Sequence, residues 1–97
     1  MTSVVFLAEA RAEALDIFRW YEDQRTGLGF VFRAALDTAV ERVRELPLAH
    51  PVVYRDLRRV LVDRFPYALY YRAQSDAIVV VAVVHGRRHP RRWRQRA

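Results

Sequence analysis

Apolar and polar positions recur along this chain in distinct rhythms, and each rhythm predicts an element. Val4, Val5, Phe6 and Leu7, within the run from Thr2 to Leu7, predict a short opening strand. From Ala8 to Gln24 the spacing changes to three and four. Leu7, Ala10, Ala14, Ile17, Phe18 and Tyr21 share one side, while Glu9, Arg11, Glu13, Asp16, Arg19 and Glu22 fill the rest, so this stretch is an amphipathic helix. No Ser, Thr or Asp stands where an N-cap would, so no side chain fixes its start. Thr26, Gly27 and Gly29 mark a turn. A second helix follows from Leu28 or Phe30 to Leu46, with Phe32, Leu36, Ala39, Val40, Val43 and Leu46 as its stripe, and Pro47 stops it. Helices joined so closely lie antiparallel, as a helical hairpin.

Past the loop from Pro47 to Val53 the rhythm is that of strands. Leu57 to Asp63, Pro66 to Ala73 and Ala77 to His85 are joined by short polar turns and predict an antiparallel meander. In the middle strand, period two puts Tyr67, Leu69 and Tyr71 on one face and Ala68, Tyr70 and Arg72 on the other. Ile78 to Val84 is apolar at every position, as a central strand covered on both faces would be. The helices can cover one face only. The other is expected to remain an apolar sheet face awaiting a partner. The architecture is therefore β-α-α-β-β-β, an α+β domain with a helical hairpin on a small antiparallel sheet.

Composition sharpens this picture. The 97 residues fit one domain, 1–97, with 86–97 as a basic C-terminal tail. There is no Cys, which excludes disulfides, thiol catalysis and thiolate zinc sites, and no Lys, which excludes a P-loop lysine or a Schiff base. The net charge of +6 lies wholly after Val84, in Arg87, Arg88, Arg91, Arg92, Arg94 and Arg96, because the 11 acids all precede it and are matched by 11 Arg. The longest apolar stretch, Ala77 to Val84, is far short of the roughly 20 residues of a spanning helix, and no signal-peptide pattern opens the chain. The cytoplasm is the expected location, with no membrane partner.

Guanidinium groups fork onto phosphates and carboxylates alike, so the C-terminal run together with Arg58, Arg59, Arg64 and Arg72 suits nucleic acid or an acidic protein equally. Trp93 within the run is placed to stack on a base, and Tyr70 beside Arg72 on its strand face sets an aromatic next to an arginine, which suits protein or RNA contact. Arg94 and Arg96 are expected to be solvated. His85 and His89 have the spacing of a metal pair, but Gly86 and Pro90 argue against the helix such a pair needs, and no metal site or cofactor is expected. His85 is better placed as a general base at a strand end, near Arg87 and Tyr71. Glu9 with Glu13, and Glu41 with Glu45, read as solvated helix faces. Neither a phosphate-binding glycine loop nor a nucleophile elbow is present.

The segment from Arg58 through Phe65-Pro66-Tyr67 and Tyr70-Tyr71-Arg72, followed by the valine-rich strand and His85-Gly86-Arg87-Arg88-His89-Pro90-Arg91-Arg92-Trp93, resembles the C-terminal half of ParE/RelE-superfamily toxins. Trp20-Tyr21 near the end of the first helix and Leu46-Pro47 at the end of the second agree with it. The resemblance implies the toxin of a bacterial type II toxin-antitoxin module, neutralised by a cognate acidic antitoxin with which it would form a hetero-tetramer. It implies two alternative activities: ParE-like inhibition of DNA gyrase, or RelE-like cleavage of mRNA on the ribosome. For the nuclease, His85, Arg87, Tyr71 and Arg64 would be the catalytic candidates. Its relatives commonly use Lys and a strand Arg, and here the chain lacks Lys and has Ala68 at that strand position, so the resemblance leans towards gyrase inhibition and away from an enzyme. The surface that meets target or antitoxin is expected at Arg58, Arg59, Arg64, Tyr70, Arg72, Arg87, Arg88, Arg91, Arg92 and Trp93.

Overall fold

The computed structural model describes residues 2–86, 88 and 90–97. In chain order they form β1 (Ser3–Phe6), α1 (Ala8–Gln24), α2 (Leu28–Glu45), β2 (Val52–Tyr54), β3 (Leu57–Leu61), β4 (Tyr67–Ala73), β5 (Ala77–His85) and α3 (Pro90–Gln95). The strands make one sheet in the order β1-β5-β4-β3-β2. The expected meander is there, antiparallel throughout. It is extended at one edge by β1, which pairs parallel to β5, and at the other by β2. Among the described residues no helix is long and apolar enough to cross a membrane.

α1 starts without a side-chain cap, as its sequence predicts. The turn into α2 is built on glycine for two separate reasons. Gly27 sits at φ 92°, a left-handed conformation that side chains resist. Gly29 is pressed against α1: a Cβ there would stand 2.6 Å from the Phe18 carbonyl oxygen, and its N–H donates to Glu22 Oε1 at 2.9 Å. A methyl at this point forces backbone apart. Gly29→Ala is therefore expected to destabilise the hairpin by about 1–3 kcal/mol, measured as a lowered urea midpoint.

The hairpin covers one sheet face. Ala10, Ile17, Phe32, Leu36, Ala39 and Val43 pack there on Val60, Val62, Leu69, Tyr71, Ile78, Val80 and Val83. The opposite face is not left open, which corrects the sequence reading. The C-terminal segment turns back as α3 and lays Trp93 on a second cluster of Leu57, Ala68, Tyr70, Val81, Ala82 and Val84. A bulge makes this possible: Tyr70 pairs with Ala82 and Tyr71 with Val80, so Val81 is an extra residue and joins Ala82 on the α3 side. Residues 90–97 are thus part of the fold, where a basic tail was expected. Their role in the core was hidden because a single apolar residue, Trp93, carries it.

Candidate functional site

α3 is held by side chains that stand in for a missing strand. β1 pairs with β5 only as far as Val80, so the backbone of β5 beyond it would face outward unpaired. Glu13 Oε1 accepts from the Val83 N–H at 3.1 Å, and Arg96 Nη1 donates to the Val81 carbonyl at 3.0 Å. Glu13 and Arg96 also pair with each other through both carboxylate oxygens, at 2.9 and 3.0 Å, and Arg92 Nη1 reaches Glu13 Oε2 at 3.4 Å. Arg96 was expected to be solvated and Glu13 to belong to a solvated face. Both are largely covered, with side chains 16% and 12% exposed. Residues 83 apart in sequence leave no mark in helical spacing, so only the need of β5 for an edge partner pointed here.

Several of the expected contact residues are instead structural. Tyr70 is buried and its ring stacks on Trp93 with centroids 4.4 Å apart, so neither offers a free face to a base or a partner. Arg58 Nη1 donates to the carbonyls of Leu48 and His50 and ties down the loop after α2. Arg72 Nε donates to Asp56 Oδ2 at 2.9 Å. Arg92 is drawn to Glu13, as above. Arg88 and Arg91 are exposed. Arg87, and His89 of the considered metal pair, lie outside the described residues.

Of the expected catalytic group, Arg64 and His85 line one cleft and Tyr71 stands apart from them. Tyr71 is fully buried, and its hydroxyl donates to the Pro47 carbonyl on the hairpin side of the sheet. Ala68 is buried on the opposite side, beneath α3. Arg59, Arg64 and His85 line one open cleft of about 540 Å³ with Tyr67 and Gly86, and the His85 and Tyr67 rings lie 5.9 Å apart. Arg64 holds a left-handed φ of 70° in the turn that rims it. Beside it Asp63 pairs with Arg42 of α2, which holds the Asp63 carboxyl below its ordinary range.

Burial pushes the Tyr71 hydroxyl above its ordinary range, against a smaller opposing effect of Arg58. The unfolded chain would release this proton first. The stabilisation from keeping Tyr71 neutral is complete below the ordinary tyrosine range near pH 10 and is lost as pH rises through the higher folded value. The thermal midpoint is expected to fall across that alkaline window, and less steeply in Tyr71→Phe.

A different surface has the character of a docking groove. Along the hairpin and β1, Phe6, Ala14, Leu15, Phe18, Phe32 and Leu36 floor a groove of about 410 Å³ edged by Arg11, Arg33 and Asp37. Close by on the helices, Trp20, Phe30 and Val31 are 55%, 59% and 47% exposed. Aromatic and aliphatic groups left in water beside guanidiniums fit an amphipathic acidic segment better than a small polar substrate. The sequence reading missed this groove because it assigned the unfilled apolar surface to the sheet.

The family model described as the ParE toxin of the type II toxin-antitoxin system, parDE, matches residues 4–90. Toxin ParE2 of Mycobacterium tuberculosis, in strains CDC 1551 / Oshkosh and ATCC 25618 / H37Rv, is 24% identical over 79 residues, which cover 80% of this chain and 75% of the relative. Among solved structures, a chain titled as the chromosomal ParDE TA system from P. aeruginosa superposes with a TM-score of 0.64 at 19% identity, covering 88% of this chain and 96% of that one. That likeness is one of fold.

Proposed function

This chain belongs to the ParE toxin family of type II toxin-antitoxin systems, and from that premise we propose that it arrests bacterial growth by binding DNA gyrase and inhibiting it. The observation that carries a binding role over a catalytic one is the placement of Tyr71. Its hydroxyl is sealed in the core and engaged by the Pro47 carbonyl, so it cannot reach a scissile phosphate. With no Lys in the chain, charge stabilisation and leaving-group protonation would fall to Arg and His85. The family match supports the same reading.

In the resting module, an acidic antitoxin segment would lie in the hairpin groove, its apolar side on Leu15 and Phe18 and its carboxylates near Arg11 and Arg33, away from Asp37. A segment that folds on binding loses chain entropy and needs apolar burial to recover it, which this groove offers.

Expression of the chain alone in bacteria is expected to stop growth and induce a DNA-damage response, and co-expression of the acidic partner should relieve both. Codon-linked mRNA cuts on ribosomes with no damage response would contradict the proposal.

A further inference from the structure

The C-terminal arginines divide by partner. Arg92 and Arg96 turn inward to Glu13. Arg91 and Arg94 turn outward, and Arg55, from the tight turn between β2 and β3, joins them along a shallow cleft of about 560 Å³ that also includes Tyr54 and Pro90. The Arg55 and Arg94 guanidinium carbons lie 5.2 and 5.5 Å from the centroid of the same Tyr54 ring. Arg94 is also 5.3 Å from the Trp93 ring. No acidic side chain lines this cleft, and Asp56, the nearest in sequence, is engaged by Arg72. Among the described residues none of Arg55, Arg91 and Arg94 forms an ion pair.

The terminal carboxylate of Ala97, at the rim of the cleft, is one negative charge against three guanidiniums, which repel one another, and stacking on aromatic rings holds two of them in fixed positions. Such a surface is relieved by a polyanion. An acidic polypeptide that folds on binding would need apolar anchors, and none of the exposed large apolar residues lies on α3. A single strand would need open aromatic planes for its bases, but Tyr54 is covered by Arg55 and Arg94, and Trp93 is sandwiched by Tyr70 and Arg94. What fits is a regular array of phosphates. We propose that the face formed by Arg55, Arg91 and Arg94 docks on the sugar-phosphate backbone of a DNA duplex, without reading its sequence. This goes beyond gyrase inhibition and does not require it.

The test is fluorescence anisotropy of a short labelled DNA duplex titrated with the full chain at several salt concentrations. If the three arginines each neutralise one phosphate, log affinity falls against log salt with a slope of about −2.7, so that going from about 50 to about 200 mM weakens binding about 40-fold. Substituting all of Arg55, Arg91 and Arg94 by Ala is expected to lose at least about ten-fold at the lower salt and to flatten the slope. Arg91→Glu provides a variant with little of the fold at stake, since Arg91 is exposed and forms no ion pair among the described residues. It should lose binding, whereas Arg19→Glu, an equal change of charge on the exposed side of α1, should not. Undiminished binding in Arg91→Glu, equal loss in Arg19→Glu, or tighter binding of polyglutamate or of single-stranded DNA would each overturn the proposal. Because no gyrase is present, failure here leaves the gyrase reading to its own assay.

Discussion

Replacing Trp93 by Ala is expected to cost about 3–5 kcal/mol, as large aromatic truncations in packed cores do. Typical domains are stable by only about 5–15 kcal/mol, so this is a large share of the total. The reason lies in what the indole covers. Leu57, Ala68, Tyr70, Val81, Ala82 and Val84 are all buried beneath or beside it, and Tyr70 loses its stacking partner. Without that lid the second sheet face becomes a contiguous apolar patch, which attracts dyes and other chains. The expected result is a sharply lowered urea midpoint together with binding of a hydrophobic dye at low denaturant, with Trp93→Phe falling in between. Were Trp93 an exposed contact residue, its replacement would leave the urea midpoint in place and affect only binding.

The second large effect is expected at Glu13. Glu13→Ala removes the partner of a largely covered Arg96 and at the same time leaves the Val83 N–H without an acceptor, a combined cost of about 2–4 kcal/mol. Glu13→Gln keeps an oxygen for the Val83 N–H and loses the charge, so roughly half of that cost is expected. Arg96→Ala should cost a similar amount, and the double variant should fall short of the sum by about 1–3 kcal/mol, since the two side chains share one interaction. Glu9→Gln, one turn earlier and exposed, should stay within about 0.5 kcal/mol of the parent. Thermal midpoints of the set give the answer directly. Strict additivity would mean that Glu13 and Arg96 act separately, and that the clamp on α3 is held by Trp93 alone.

These two residues also mark where sequence reasoning stopped. The hairpin was legible because Ile17, Phe32, Leu36 and Val43 repeat at helical spacing and because Gly27 and Pro47 bound its second helix. The faces of β4 followed from alternation: Leu69 and Tyr71 go to the hairpin side, and Ala68 and Tyr70 to the other. β2 escaped notice because three residues near Pro51 are too few to show a period. α3 escaped notice because its run of Arg around one Trp has no apolar stripe, although Pro90 at its first position is a recognised helix start. The apolar character of β5 on both faces did call for a second cover. It could not say that the cover comes from the same chain.

The candidate site was legible to a similar degree. Arg59 of β3, Arg64 of the turn after it and His85 at the end of β5 line one cleft, because β3 and β5 flank β4 in the sheet. The division of the arginines into inward and outward groups was not readable, because it depends on Glu13 and Tyr54, far from them in sequence. Net charge therefore overstated the patch available to a partner. It shrinks from the whole C-terminal run to the few guanidiniums that no carboxylate meets.

The proposed binding of this ParE-family toxin to DNA gyrase can be checked with purified components. A supercoiling assay with purified gyrase and relaxed plasmid tests it most directly. Loss of supercoiling in step with added toxin, reversed by the antitoxin, is expected. Full supercoiling at toxin in large excess over gyrase would contradict it.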